Sequence, residues 1–271
     1  MNKEIPDPHF PTVRQAILVM MMTFFVMLLF SGLAAEWDNK YYFIGSRLIF
    51  IVPMLLFIFR EKFPVAKLLR LRPVSMRVLG ISLVIGICLA IIGEEFDRIM
   101  TMIIPLPDDV KELLQSSMSA DSTLDWFVLI FGVILLTAIM EEWLFRCFLQ
   151  TILESQLDVT RAVLATAFVF SFFYANPISI VQIVILGVVL GVLAWKSDSF
   201  IPSAAAHTMI NAVGLMMAGQ SLKNLSILNW NGHLHPLLLL LAGALLYLAI
   251  LQFYRYTDDE SALKTDIDEP V

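Results

Sequence analysis

The fold is decided by the stretch Glu141-Glu142-Trp143-Leu144-Phe145-Arg146, which lies inside an otherwise apolar run from Trp126 to Leu153. A charged side chain near the middle of a bilayer is costly, so it faces the interior of a helix bundle and finds a partner there. Such residues usually mark a functional site. The stretch therefore predicts a membrane helix bundle with a chemical site in its interior.

The composition of the 271-residue chain indicates the same class of protein. Hydrophobic residues make up 59% of it, charged residues make up 15%, and the mean hydropathy is +0.81. Apolar blocks long enough to cross a hydrocarbon core recur along the chain. We expect an all-α, polytopic membrane helix bundle of about eight transmembrane helices, forming a single integral membrane domain over residues 1–271. The expected spans are Val13 to Ala35, Tyr41 to Phe59, Val78 to Gly93, Trp126 to Leu153, Ala162 to Ala175, Ile178 to Trp195, Phe200 to Ala218 and Pro236 to Tyr254.

The charges of the loops predict an orientation. Between the second and third spans, the positive-inside bias keeps a run of basic residues in the cytoplasm. We therefore expect both termini to be cytoplasmic, and short loops without an organellar targeting segment favour a prokaryotic cytoplasmic membrane. The longest outer segment, Glu94 to Asp125, has a helical pattern from Asp108 to Met118 that suits an interfacial helix or a lid. The basic residues of the inner loop are Arg60, Lys62, Lys67, Arg70, Arg72 and Arg77.

The cysteines and the two ends of the chain carry simpler expectations. Cys88 and Cys147 lie within apolar runs, so the sequence predicts neither a disulfide framework nor a thiolate metal site, and we expect no cofactor. The first apolar block lacks a small-residue cleavage site and is interpreted as a retained span. The acidic segment of about 257–271 is expected to be a disordered tail.

Two spans carry polar residues at helical spacing. On an α-helix Glu142 and Arg146 share a face and can form an ion pair, whereas Glu141 points about 100 degrees away and is available for another task. In the seventh span His207 and Asn211 share a face flanked by small residues, which permit close helix approach. A purely structural role stays open at this point, in which the ion pair satisfies itself and Glu141 bonds a neighbouring helix.

The depth of these residues is consistent with one buried cavity. Counted from a cytoplasmic turn at 155–161, Glu141 and Asn176 each lie about 15 residues away, or roughly 22 Å at about 1.5 Å per residue. His207 and Asn211 lie roughly 10 to 20 Å from the same side and come within reach if the helices tilt. We therefore expect the polar groups to converge.

These residues resemble the motifs of the CPBP family, the CAAX proteases and bacteriocin-processing membrane proteins. Glu141-Glu142 with Arg146 is similar to the EExxxR signature of the family, and His207 with Asn211 is similar to its HxxxN motif. The resemblance covers a core of about 126–214 and leaves the first three spans and the last one unassigned.

The resemblance implies an intramembrane endopeptidase of the glutamate type. Glu141 matches the glutamate that activates water, and Glu142 with Arg146 matches the pair that supports it. His207 and Asn211 match the groups thought to hold the oxyanion, a role in which fixed donors in a dry cavity are effective. The implied partners are the lipid bilayer and a membrane-associated protein or peptide as substrate, with no nucleic acid.

One position departs from the family pattern. The second motif is FxxxH, and a register that starts at Phe172 ends at Asn176, where a histidine is expected. Asparagine can orient a water shared with Glu141 but carries no proton, and acid–base assistance contributes about a hundredfold to ten-thousandfold in rate. The alternative function is therefore a catalytically impaired family member that binds another membrane protein or acts as a scaffold. Other starting residues also place no histidine at the end: Phe168, Phe170 and Phe173.

Two further clusters are interpreted as structural. Glu94-Glu95-Phe96-Asp97-Arg98 is a second acidic pair near an arginine, with shorter spacing, and we expect it to be a solvated boundary at the outer end of the third span. His233 and His235 flank a turn at Asn231-Gly232 and are expected to be loop residues. The sequence contains no HExxH zinc motif and no inverted repeat that would favour a transporter.

Overall fold

The computed structural model describes residues 10–36, 41, 45, 49–105, 120, 122–174, 176, 178–218 and 227–268. Within these residues the regular secondary structure is helical apart from one two-stranded hairpin. The prediction of an all-α membrane helix bundle is confirmed, because five helices in this part of the chain are long and apolar enough to cross a membrane. They are Val13–Leu33, Met76–Ile103, Thr123–Glu154, Ile180–Ser197 and Pro236–Asp259, and Val159–Phe173 is a shorter apolar helix.

The chain divides into two compact units, Met1–Leu71 with Ala120–Gly191, and Arg72–Ser119 with Val192–Val271. In chain order the described elements are α1 (Val13–Glu36), α2 (Val52–Glu61), α3 (Val65–Leu68), α4 (Met76–Ile103), α5 (Thr123–Glu154), α6 (Val159–Phe173), α7 (Ile180–Ser197), α8 (Ile201–Ala218), β1 (Asn229–Trp230), β2 (His233–Leu234) and α9 (Pro236–Asp268). The first unit contains α1, α2, α3, α5, α6 and most of α7. The second contains α4, α8, the hairpin and α9.

Helix α5 alternates between α-helical and π-helical geometry. A side-chain contact reflects the five-residue spacing of the π-helix. The Thr137 hydroxyl donates a hydrogen bond to the carbonyl of Gly132, five residues earlier, at 2.8 Å. π-helical turns are rare and often lie at functional sites, and in α5 one begins directly after Glu142. The α-helical segments are Thr123–Phe127, Thr137–Glu142 and Gln150–Glu154, and the π-helical segments are Val128–Leu136 and Trp143–Leu149.

Two glycines allow α7 to approach α6 and α5 in the first unit. A Cβ atom at Gly187 would lie 3.0 Å from Ala167 of α6, and one at Gly191 would lie 2.8 Å from the side-chain oxygen of Gln150 of α5. The Gln150 amide donates to the Gly191 carbonyl at 2.9 Å. Small residues at helix contacts let backbones come close, so these glycines set the spacing of the three helices.

Helix α4 packs along α8 and α9 in the second unit. Its contact with α8 is close, since a Cβ atom at Gly86 would lie 2.3 Å from the carbonyl oxygen of Ala206. The hairpin pairs Trp230 with His233. Its turn residues Asn231 and Gly232 have φ of 50° and 87°, which suits a tight hairpin turn, so the predicted turn is confirmed.

Two helices are longer than the sequence predicts. Helix α4 continues past Gly93 to Ile103, so the predicted end of the third span is wrong. Helix α9 continues to Asp268, through much of the segment in which disorder is predicted. Neither extension contains the glycine or proline that usually ends a helix. The expected span from Tyr41 to Phe59 lies partly outside the described residues, and the expected outer helix at 108–118 lies wholly outside them.

The variant Gly86→Ala is expected to be less stable than the unaltered protein in detergent, because the added methyl group meets the Ala206 backbone. Overpacking of this kind typically costs about 1–3 kcal/mol. Gly80→Ala in the same helix is the matched control, since nothing lies within 4 Å of its Cβ position and alanine is the better helix former. Thermal unfolding followed by tryptophan fluorescence compares the two, and equal melting temperatures would contradict the packing described above.

Candidate active site

Two adjacent carboxylates lie at the middle of α5. Glu141 and Glu142 end the α-helical segment Thr137–Glu142, with 7% and 0% of their surface exposed. Arg146 follows within the π-helical segment and is also fully buried. Charged groups withdrawn from water need compensating partners, so the contacts of each one indicate its role.

Glu142 and Arg146 form the ion pair that their spacing predicts. Nη1 of Arg146 lies 3.2 Å from Oε1 of Glu142. The guanidinium also lies over the ring of Phe170 in α6, with Cζ 4.0 Å from the ring centroid, where the ring quadrupole attracts a cation. The ring of Phe145 lies 5.9 Å from the same Cζ, so the buried cation is surrounded by one carboxylate and two aromatic rings, which supports a structural role for the pair.

Glu141 has a different neighbour. The Tyr174 hydroxyl donates a hydrogen bond to Oε2 of Glu141 at 2.8 Å. Tyr174 directly follows Phe173, the last residue of α6, and its ring packs edge-on against Phe170 with centroids 5.0 Å apart. The donor in this contact is a neutral hydroxyl, whereas the contact of Glu142 is with a guanidinium.

Aromatic pairs fix α6 against its neighbours. Phe145 of α5 lies 5.0 Å from both Phe170 and Phe173 of α6, and Phe24 of α1 lies 5.2 Å from Phe173. All three contacts are edge-to-face, an arrangement that contributes about 0.5–1.5 kcal/mol per pair beyond burial. The rings therefore set the position of Tyr174, which follows α6, relative to Glu141.

Asn176 lies in the turn before α7 and is exposed. Its side-chain oxygen accepts hydrogen bonds from the backbone N–H groups of Ile178 and Ser179, at 3.1 and 3.3 Å, and its amide donates to the Ser179 hydroxyl at 3.2 Å. Asparagine commonly forms such a turn with the residues that follow it. These bonds stay within the turn, and the water expected between Asn176 and Glu141 remains a prediction.

The phenylalanines of α6 that offer registers for the second motif differ in burial. Phe172, the expected first residue, is 65% exposed, whereas Phe170 is 2% exposed. Four residues after Phe170 stands Tyr174, which is not among the residues predicted from the sequence. The sequence gives only a weak indication of a role for this residue, because Tyr174 is the one tyrosine in the fourth to seventh predicted spans.

The second unit holds the other predicted pair on α8. His207 is 3% exposed and Asn211 is half-buried. Ala206, directly before His207, contacts the α4 backbone at Gly86, which confirms the close helix approach predicted from the small residues. The convergence of His207 and Asn211 with the carboxylates of the first unit stays a prediction.

The acidic pair Glu94-Glu95 in the C-terminal part of α4 is not the solvated boundary that its sequence predicts. Oε1 of Glu95 lies 2.6 Å from Nδ1 of His233, and its Oε2 accepts the backbone N–H of Leu234 at 2.7 Å. Arg98 donates to the side chain of Asn229 at 2.7 Å. The hairpin therefore covers this end of the helix.

In the described part of the chain no three metal-ligating side chains cluster. A cavity of about 550 Å³ beside the hairpin is lined by Glu94, Asp97, Arg98, Thr101, Met102, Asn229 and Gly232.

The chain was compared with known protein families. Residues 123–213 match the model of a family described as "Rce1-like: Type II CAAX prenyl endopeptidase Rce1-like". No significant similarity to a curated protein or to a solved structure was found. The matched segment begins with α5 and ends within α8, and it contains Glu141, Glu142, Arg146, Asn176, His207 and Asn211.

The variant Arg146→Ala is expected to lower the free energy of unfolding by about 3–5 kcal/mol, because it removes the cation from a buried carboxylate, Glu142. The double variant Glu142→Gln with Arg146→Met removes both charges and is expected to be less destabilised. Arg161→Ala is the control, since Arg161 is 78% exposed in its pair with Asp158 and such pairs contribute about 0–1 kcal/mol. Denaturant unfolding measures all three variants. An Arg146→Ala protein as stable as the control would contradict the structural role.

Proposed function

We propose that this chain is an intramembrane endopeptidase, because residues 123–213 match the model of the Rce1-like type II CAAX prenyl endopeptidases and carry motifs that resemble those of the CPBP family. Its substrate is a membrane-associated protein or peptide. Glu141 takes a proton from a water molecule, whose oxygen attacks the carbonyl carbon of the peptide bond. The bond from that carbon to the amide nitrogen then breaks, and the proton passes to the leaving amine.

The contrast between two adjacent buried carboxylates carries this proposal. Glu142 is paired with Arg146 at 3.2 Å, whereas Glu141 accepts a hydrogen bond from the Tyr174 hydroxyl. A buried ion pair commits both of its side chains to a structural contact. Neighbouring acids in different environments commonly divide acid–base roles between them. This supports Glu141 as the base and the Glu142–Arg146 pair as the support of the site.

The donors for the oxyanion are proposed to be His207 and Asn211. Their spacing places them on one face of α8, and His207 is buried. A donor held in a water-excluded site can contribute about 10²–10³ in kcat. Their assignment follows their match to the HxxxN motif, and no metal takes part in the proposed reaction.

A second candidate function is the binding of a membrane-protein partner by a catalytically impaired family member. One sequence observation favours it, since no histidine lies between His9 and His207. The second motif therefore lacks its histidine in every register. In this function the protein would bind the partner without cleaving it.

We further propose that the chain is a multi-pass protein of the prokaryotic cytoplasmic membrane with both termini in the cytoplasm, which the basic loop around α3 supports. A cysteine placed at Lys67 is then expected to be protected from a membrane-impermeant maleimide added outside, and one placed at Asn231 is expected to react. Both positions are exposed, and the native thiols Cys88 and Cys147 are buried, so the background is low. The reverse labelling pattern would contradict the orientation.

The variant Glu141→Gln tests the proposed function directly. In proteoliposomes supplied with a prenylated CAAX peptide or a membrane-tethered leader peptide, it is expected to cleave at least about a hundredfold more slowly, because the base is lost. Glu61→Gln, at an exposed glutamate of α2, is the control and is expected to keep the unaltered rate.

Three outcomes are distinguished by this experiment. Loss of cleavage in a variant that inserts and melts like the unaltered protein supports the proposal. Full cleavage by Glu141→Gln would end the glutamate mechanism. An unaltered protein that cleaves neither substrate but retains a membrane-protein partner would favour the binding function instead.

A further inference from the structure

Tyr174 touches the carboxylate to which the proposed function assigns the role of base. Its hydroxyl oxygen lies 2.8 Å from Oε2 of Glu141, which is within the range of a well-formed O–H···O hydrogen bond. Glu141 is buried. A hydrogen bond to an ionised group is about twice as strong as one between neutral groups, so this contact is well suited to fixing the orientation of the carboxylate.

The ring of Tyr174 is itself held by packing against another aromatic ring. Its ring contacts the ring of Phe170 at 5.0 Å, and Phe170 in turn lies against the Arg146 guanidinium at 4.0 Å. A continuous series of contacts thus runs from Glu142 through Arg146, Phe170 and Tyr174 to Glu141. The structural ion pair and the proposed base are linked through one aromatic pair.

We propose that Tyr174 is a positioning residue for Glu141, holding Oε2 so that the carboxylate is oriented toward the water that it deprotonates. This inference rests on the proposed function. A carboxylate offers about four acceptor positions, so it can accept the tyrosine hydroxyl and a water together. The proton moves from water to Glu141, and Tyr174 keeps its own proton throughout.

The same assignment gives Asn176 a separate task. Its side chain bonds Ile178 and Ser179 in the turn that leads into α7. It therefore shapes the chain between α6 and α7, whereas the hydroxyl at 174 makes the direct contact with Glu141. The roles of Tyr174 and Asn176 can be tested separately, because each residue can be substituted without changing the other.

The test is the variant Tyr174→Phe, which removes the hydroxyl and leaves the ring on Phe170. We expect kcat to fall about tenfold to a hundredfold, as for the loss of a hydrogen bond to a charged group, with KM nearly unchanged because the tyrosine acts on the base. Tyr174→His supplies another donor and is expected to recover part of the lost rate. Tyr247→Phe, at a ring 64% exposed on α9, is the control and is expected to keep the unaltered kcat, and Asn176→Ala is measured beside it.

A second readout does not depend on cleavage. Infrared spectroscopy of protein labelled with ¹³C at the glutamate carboxyl groups is expected to show a shifted carboxylate band in Tyr174→Phe and an unshifted spectrum in Tyr247→Phe. An unshifted band in Tyr174→Phe would overturn the hydrogen bond on which the inference rests. Melting temperatures are measured for every variant, and a Tyr174→Phe protein that fails to fold would assign Tyr174 to structure and overturn the positioning role.

The kinetic outcomes separate this inference from the proposed function. Unchanged kcat in Tyr174→Phe, with Glu141→Gln inactive, overturns the positioning role and leaves the peptidase proposal standing. A fall in kcat that appears in Asn176→Ala and not in Tyr174→Phe overturns it as well. If the unaltered protein and every variant fail to cleave, the proposed function and the inference both fall.

Discussion

The buried pair of Glu142 and Arg146 is the interaction on which the rest of the first unit depends. Neither side chain has any exposed surface, and removing water from two charges is costly unless their geometry compensates for the loss. The compensation comes partly from outside α5, because the face of Phe170 covers the guanidinium. Helix α6 must therefore pack against α5 in one register for the charge to be tolerated.

That packing has a consequence for the neighbouring carboxylate. Once Phe170 is held by Arg146, the end of α6 is fixed by further contacts between Phe145 and Phe173. Tyr174, the next residue, then stands at hydrogen-bond distance from Glu141. The ion pair of Glu142 and Arg146 thus acts on the proposed base, Glu141, indirectly, through the packed aromatic rings of α5 and α6 and the ring of Tyr174. This division gives a physical reason for two adjacent glutamates in one membrane helix, since one stabilises the arrangement that positions the other.

The sequence predicts the features that depend on local spacing or on composition. Long apolar blocks predict the membrane helices, and the four-residue spacing of Glu142 and Arg146 predicts their ion pair. Features that depend on contacts between distant segments are missed. No periodicity indicates that Tyr174 would reach Glu141, and the charged end of α4 gives no sign that Glu95 would bond His233. The π-helical segments of α5 are also unpredicted, because an apolar run has no periodicity that distinguishes the two helical spacings.

The central proposal is that Glu141 activates a water molecule while Glu142 supports the site through its ion pair with Arg146. An experimental structure at a resolution that shows ordered water tests it most directly. The account predicts an ordered water within about 3.2 Å of a Glu141 carboxylate oxygen, the distance required of a general base, with Tyr174 bonded to the same carboxylate. A Glu141 side chain paired with a lysine or arginine, or packed in a dry apolar environment, would contradict it.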